Sequence, residues 1–259
     1  MTLSARDLAD LEHARAQLER VSLAARISSA FGFSLEKGVR LLPAGFSGKI
    51  QRVSEVAIQK ALDTAVWSLS DSRPGQAADR WHKIVAAASG AAGGALGLAA
   101  LAVELPVSTT VMLRSVADIA RSQGERIRSL DARLACMEVF ALGGVSDRDD
   151  SADTGYFVVR TALANSVSAA ARHLSAQGLA DTGAPVLVRL ISRIAARYGL
   201  VVTQKAAAQA VPLIGAAGGA LINTLFIDHF QRVAHGHFTI RRLERAYGTE
   251  AVREVYERL

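Results

Sequence analysis

Apolar residues recur at spacings of three and four along almost the whole chain. No stretch alternates apolar and polar positions between turn signals, so the pattern reads as helix throughout. Helices are predicted over residues 5–30, from Leu35 to just before Pro43, and over residues 48–69 and 77–103. Pro106 is expected to end the last of these, because the residue before a proline is pushed out of the α region. Further helices are predicted from Pro106 to Gly124 and over 130–142, 157–174, 185–198, 200–210, 213–233 and 238–247, with a short one from Glu250. The stretch SDSRPGQ reads as a loop, and GGVSDRDDSADTG (residues 143–155) as a mobile one. No linker is rich enough in Pro, Gly or Ser to divide the chain. The expected fold is all-α: a single multi-helix bundle over residues 1–259, with residues 1–40 as an N-terminal amphipathic helical extension and 41–259 as the main body.

Two places break the ordinary amphipathic pattern. The heptapeptide GAAGGAL occurs at residues 90–96 and again at 215–221, each inside an uncharged run. The first run lies between Lys83 and Glu104, the second between Lys205 and Asp228. Both reach the length that spans a bilayer, about 20 residues, but they consist mostly of Ala and Gly, and the second includes Gln209, Pro212, Asn223 and Thr224. Buried helices fit that composition better than membrane spans. Glycine in a helix costs roughly 0.8–1 kcal/mol relative to alanine. Gly90, Gly93, Gly94 and Gly97, and likewise Gly215, Gly218 and Gly219, therefore predict faces where another backbone comes close, with the two Gly/Ala-rich helices central and closely packed.

Composition and charge narrow the function classes. Aromatics make up only 5% of the chain, so small and medium side chains must build the core. The net charge of +6 is spread out, and Arg-rich stretches such as RSQGERIRSLDARL carry acids among the bases. They read as solvated, ion-paired helix faces, which argues against a nucleic-acid partner while leaving a basic surface suited to an anionic bilayer. The one cysteine, Cys136, sits among Ala135, Met137 and Val139 and reads as an inert core thiol in a reducing compartment. Residues 5–20 mix charges with Leu and Ala, an amphipathic helix where a secretory signal would be apolar, so a cytoplasmic location is expected.

Candidate chemistry is sparse. GFSGKI falls short of a phosphate loop, since GxxxxGK[ST] needs Gly where Pro43 stands and Ser or Thr where Ile50 stands. His229, His235 and His237 lack the HExxH spacing, so no zinc site is expected. The Ser-x-x-Lys spacing of Ser34 and Lys37 reads as a helix N-cap. No cofactor or metal is called for, and no catalytic residue is assigned. The polar positions that stand out are Glu104, set to cap a helix or pair with a base; Arg114, Asp118 and Arg121 on one stripe; Asn223 among Phe226, Ile227 and Phe230; and Asp228 paired with Arg232 at i,i+4 spacing.

The stretches LPVSTTVMLRSVADIARSQGE, RLACMEVFALGG, QKAAAQAVPLIGAAGGALINTLFIDHF and AHGHFTIRRLERAYG resemble the EcsC family of bacterial proteins, named for a protein encoded beside an ABC transporter pair. The resemblance runs from about Leu41 onward, so residues 41–259 would be the family core. It implies that Thr109, Arg114, Lys205, Pro212, Gly215, Asn223 and Arg242 are characteristic positions. It also implies a setting, the bacterial cytoplasm near a membrane, and no reaction. The function expected is a non-enzymatic helical protein held peripherally on the inner membrane, with anionic lipid or a membrane transporter as partner and a role accessory to transport or envelope processes. Two other readings stand beside it: a hydrolase or lipid-modifying enzyme, which requires a pocket where Arg114, Lys205, Asn223 or Asp228 converge, and a soluble scaffold.

Overall fold

The computed structural model describes residues 3–19, 22–32, 35–68, 101–144, 155–177, 184–211 and 215–259. Among them every regular element is a helix: α1 (Ala5–Glu19), α2 (Leu23–Phe31), α3 (Leu35–Arg40), α4 (Phe46–Ser68), α5 (Leu101–Ser122), α6 (Leu130–Leu142), α7 (Gly155–Gln177), α8 (Pro185–Gln209), α9 (Gly215–Tyr247) and α10 (Thr249–Arg258). The all-α expectation holds. The first GAAGGAL copy, with Gly90, Gly93, Gly94 and Gly97, and the 145–154 loop lie outside the described residues.

Helix α9 is the spine: 33 residues, about 50 Å at 1.5 Å per residue. Helix α1 runs antiparallel to it, since Ala14 and Leu18 meet Gly236 while Asp7 and Asp10 meet Arg242. Helix α5 runs parallel to it, with Ser115 level with Gln231 and Gln123 level with Arg242. Helix α8 runs antiparallel to α5, with Glu104 at Lys205 and Thr109 at Tyr198. Helix α4 packs across α5 and α8, and α6 and α7 close the far side against α8. The scarce aromatics gather at two points along the spine. Phe140, Tyr198, Phe226 and Phe230 form one cluster, and Tyr156, Phe157, Tyr256, His237 and Phe238 form the other.

Four predicted boundaries are corrected. The helix expected over 5–30 is two, because Ser22 stops and recaps the chain: its Oγ accepts from the Ala25 N–H at 3.3 Å. Conversely, Pro106 does not end a helix but lies inside α5. The carbonyl that loses its partner there is that of Ala102, an exposed residue, so solvent can satisfy it, while Leu105 and Pro106 are buried. Gly199 does not interrupt α8, and Gly236 does not interrupt α9. In both helices the buried stripe runs on across the glycine, through Tyr198, Val201 and Val202 in α8 and through Val233, Ala234, His237 and Phe238 in α9. Packing therefore outweighs a glycine penalty of about 1 kcal/mol.

Close backbone approach occurs at Gly38, Gly144 and Gly236. A Cβ at Gly38 would stand 2.1 Å from the Ala207 carbonyl oxygen, and one at Gly144 2.3 Å from that of Arg197. A Cβ at Gly236 would stand 2.7 Å from Leu18 Cγ and 2.9 Å from the Ala14 carbonyl oxygen. In the second heptapeptide Gly215 begins α9, Gly218 is half-buried and Gly219 is buried.

Candidate functional site

Among the described residues the largest charged side chain fully inside the bundle is Lys205, at 0% exposure. Helix α8 places Tyr198, Lys205 and Gln209 on one face at i, i+7 and i+11, and Ala206, Ala207 and Ala208 let neighbouring helices close over it. Lys205 Nζ donates to Glu104 Oε1 at 2.6 Å and sits 4.9 Å above the Phe226 ring. Gln209 Nε2 donates to Glu104 Oε2 at 3.3 Å, so both carboxylate oxygens are bonded. Gln209 Oε1 is buried without a hydrogen-bond partner.

Two opposing effects act on Lys205. Burial drives its pKa down, while the Glu104 carboxylate drives it up; burial wins. Placing two charges here costs several kcal/mol of solvation per ion, which their attraction and the Gln209 bond offset only in part. Two turns along, Tyr198 holds its proton, since burial pushes the phenol well above its ordinary pKa. It donates to Thr109 Oγ1 at 2.7 Å, and the Thr109 hydroxyl donates onward to the Leu105 carbonyl at 2.6 Å. Glu104, Thr109 and Lys205, separate in sequence, therefore share one polar seam between α5 and α8.

The remaining candidates lie elsewhere. Arg114 is exposed on α5, and Asp118 pairs with Arg121 at 3.0 Å on the same helix. Asp228 binds Arg26 of α2 at 2.7 Å and, as its spacing predicts, Arg232 at 3.3 Å. Asn223 is buried on α9. Arg242 is at the other end of the spine, bonded to Asp7, Asp10 and Gln123. Arg114, Lys205 and Asp228 thus have separate surroundings.

A second polar cluster has no counterpart in the sequence reading. Tyr156 of α7 bonds His237 Nδ1 at 2.9 Å, and Arg160 reaches the same hydroxyl at 3.3 Å while gripping Glu244 with two bonds of 2.7 Å. Arg160 donates to the tyrosine oxygen, and His237 Nε2 is buried without a hydrogen-bond partner. Burial holds His237 well below its ordinary pKa, and it raises Glu138, in the same electrostatic neighbourhood, to about 7. The pairs in this cluster join residues 81 and 84 positions apart, a separation that leaves no local signal. Cys136 is the inert core thiol expected, buried with its pKa pushed up by desolvation. Among the described residues no group of His, Cys, Asp and Glu could hold a metal ion.

No curated protein and no solved structure matches the chain. The model of the EcsC protein family matches residues 6–243 of its 259, a span that takes in α1 to α3 as well as the stretch beyond Leu41. The matched region holds the buried Glu104–Lys205 pair and nearly all of the spine helix, and the chain belongs to the EcsC protein family.

Proposed function

We propose that this is a non-enzymatic helical protein that attaches peripherally and reversibly to the inner face of the bacterial inner membrane, accessory to transport or envelope processes. One observation carries the reading: the two ends of the bundle differ in chemistry. Where α9 ends, Arg241 bonds Glu125 and Asp131, Arg242 bonds Asp7 and Asp10, Arg245 bonds Glu125, and Tyr247 bonds Asp7. Where α9 begins, α3, the first turn of α5 and the last turn of α8 come together around Lys205 and Ala207. That end exposes Val39, Leu41, Val103, Val107 and Leu221, with Val103 at 74% and Leu41 and Val107 at 52%. Apolar side chains gathered at one end suit contact with a lipid surface.

Attachment without spanning fits the helices. Among the described residues no helix is long and apolar enough to cross a membrane. The second uncharged run is not one helix, since α8 ends at Gln209 and α9 starts at Gly215. Fractionation of cells producing the full chain tests the proposal. The protein should pellet with membranes at low salt and leave them on carbonate or high-salt washing. Recovery wholly in the low-salt supernatant would favour the soluble scaffold, and retention until detergent is added would mean insertion.

A further inference from the structure

We infer that the α3–α4 corner is the surface that meets the headgroups of anionic phospholipids; this rests on the peripheral-attachment reading and names its contact face. Between residues 37 and 54 the chain carries Lys37, Arg40, Lys49 and Arg52 and no acid. All four bases are exposed, and none forms an ion pair with another described residue. They contrast with the arginines at the far end of the spine, which are bonded to carboxylates. Val39 and Leu41 stand exposed among them, while Leu42 and Phe46 pack against the core from beneath. Cationic groups around protruding aliphatic ones are what an anionic headgroup layer over hydrocarbon complements: the bases meet phosphates and the aliphatics enter the boundary.

The corner is held rigidly. Gly38 seats the α3 backbone directly on Ala207 of α8, where even a Cβ would collide. The turn into α4 is closed by the Leu41 and Leu42 N–H groups, which donate to the Gly38 and Val39 carbonyls, and by Gly45 in the left-handed region at φ 73°. Residues 37 to 52 thus present a preformed face, and binding need not order it. On α4 the face continues through Lys49, Arg52 and Val56 at helical spacing.

The test uses the purified full chain and vesicles of phosphatidylcholine, with or without phosphatidylglycerol. Arg40→Glu/Lys49→Glu is compared with Arg172→Glu/Arg189→Glu, which lowers net charge equally at exposed positions on α7 and α8. Wild type should bind only the phosphatidylglycerol vesicles. The corner variant should bind at least tenfold more weakly, with its thermal midpoint unchanged because both side chains are exposed, and the control should bind like wild type. Leu41→Cys, labelled with an environment-sensitive dye while buried Cys136 stays unreactive, should shift to the blue on binding. Equal weakening in both variants, or binding without a dye shift, would overturn the corner and leave peripheral attachment standing. No binding of wild type to either vesicle would overturn both. A dye shift with an acidic polymer and none with vesicles would point to a macromolecular partner.

Discussion

At the scale of single residues, burial sets the chemistry. Glu104 and Lys205 each stand out in the sequence as charges bordering uncharged runs, yet their pairing across 101 positions becomes visible only in the fold. Lys205→Met leaves the Glu104 carboxylate buried without its cation and should cost about 3–5 kcal/mol. The double variant Glu104→Leu/Lys205→Met should recover most of that, because it removes both desolvated charges; urea unfolding of the three proteins checks it. Glu138 and His237 act through pH with opposite signs. The folded state holds the Glu138 proton up to about pH 7, against an ordinary 4.5, so this residue's contribution is full below 4.5 and is lost as pH rises toward 7. His237, shifted well below 6.5, contributes fully above 6.5 and loses its contribution as pH falls. Glu138→Gln should therefore match wild type near pH 4.5 and gain on it by up to about 1.4 kcal/mol per pH unit until near 7. A stability difference that stays constant from pH 4 to 8 would refute the assignment.

At the scale of elements, the sequence pattern placed the helices well and their joints less well. Residues 130–142 were expected as one helix, and α6 is Leu130–Leu142, because Ser129 caps the apolar run and the Ala132 N–H donates to its Oγ. Breaks were expected at Pro106, Gly199 and Gly236, where local propensity argues for interruption and the continuous buried stripe overrides it. The reading of glycine as a contact residue applies at Gly38, Gly144 and Gly236. These positions separate two roles for helical glycine. At Gly199 an added Cβ meets only ordinary contacts, Ile50 Cγ2 being 3.6 Å away, so Gly199→Ala should stabilise by about 0.5–1 kcal/mol through better helix propensity. At Gly236 the same change collides with Leu18 and the Ala14 carbonyl and should cost about 1–3 kcal/mol. Thermal melts of the two variants should move in opposite directions, and shifts of the same sign would mean that α1 is not seated on α9 as described.

At the scale of the whole molecule, Arg241, Arg242 and Arg245 pair with carboxylates where α9 ends, while Val39, Leu41, Val103, Val107 and Leu221 stand exposed where it begins and Lys37, Arg40, Lys49 and Arg52 line the α3–α4 corner. Recovery from membranes by salt or carbonate is the behaviour expected of that arrangement, and the corner variants locate its contact face. Helical periodicity, the shortage of aromatics and the absence of strand patterning were enough to determine an all-α fold built from small side chains, since each depends on residues close in sequence. The family was legible for the same reason, in contiguous blocks around Thr109, Cys136, Lys205 and Arg242. Which charges are buried, which glycines touch a backbone and which bases remain unpaired depended on helices meeting across roughly fifty to two hundred positions. Local spacing carries no record of such meetings, because the free energy of burying Lys205 against Glu104, or of seating Gly38 on Ala207, arises only when the packed helices exclude water between them.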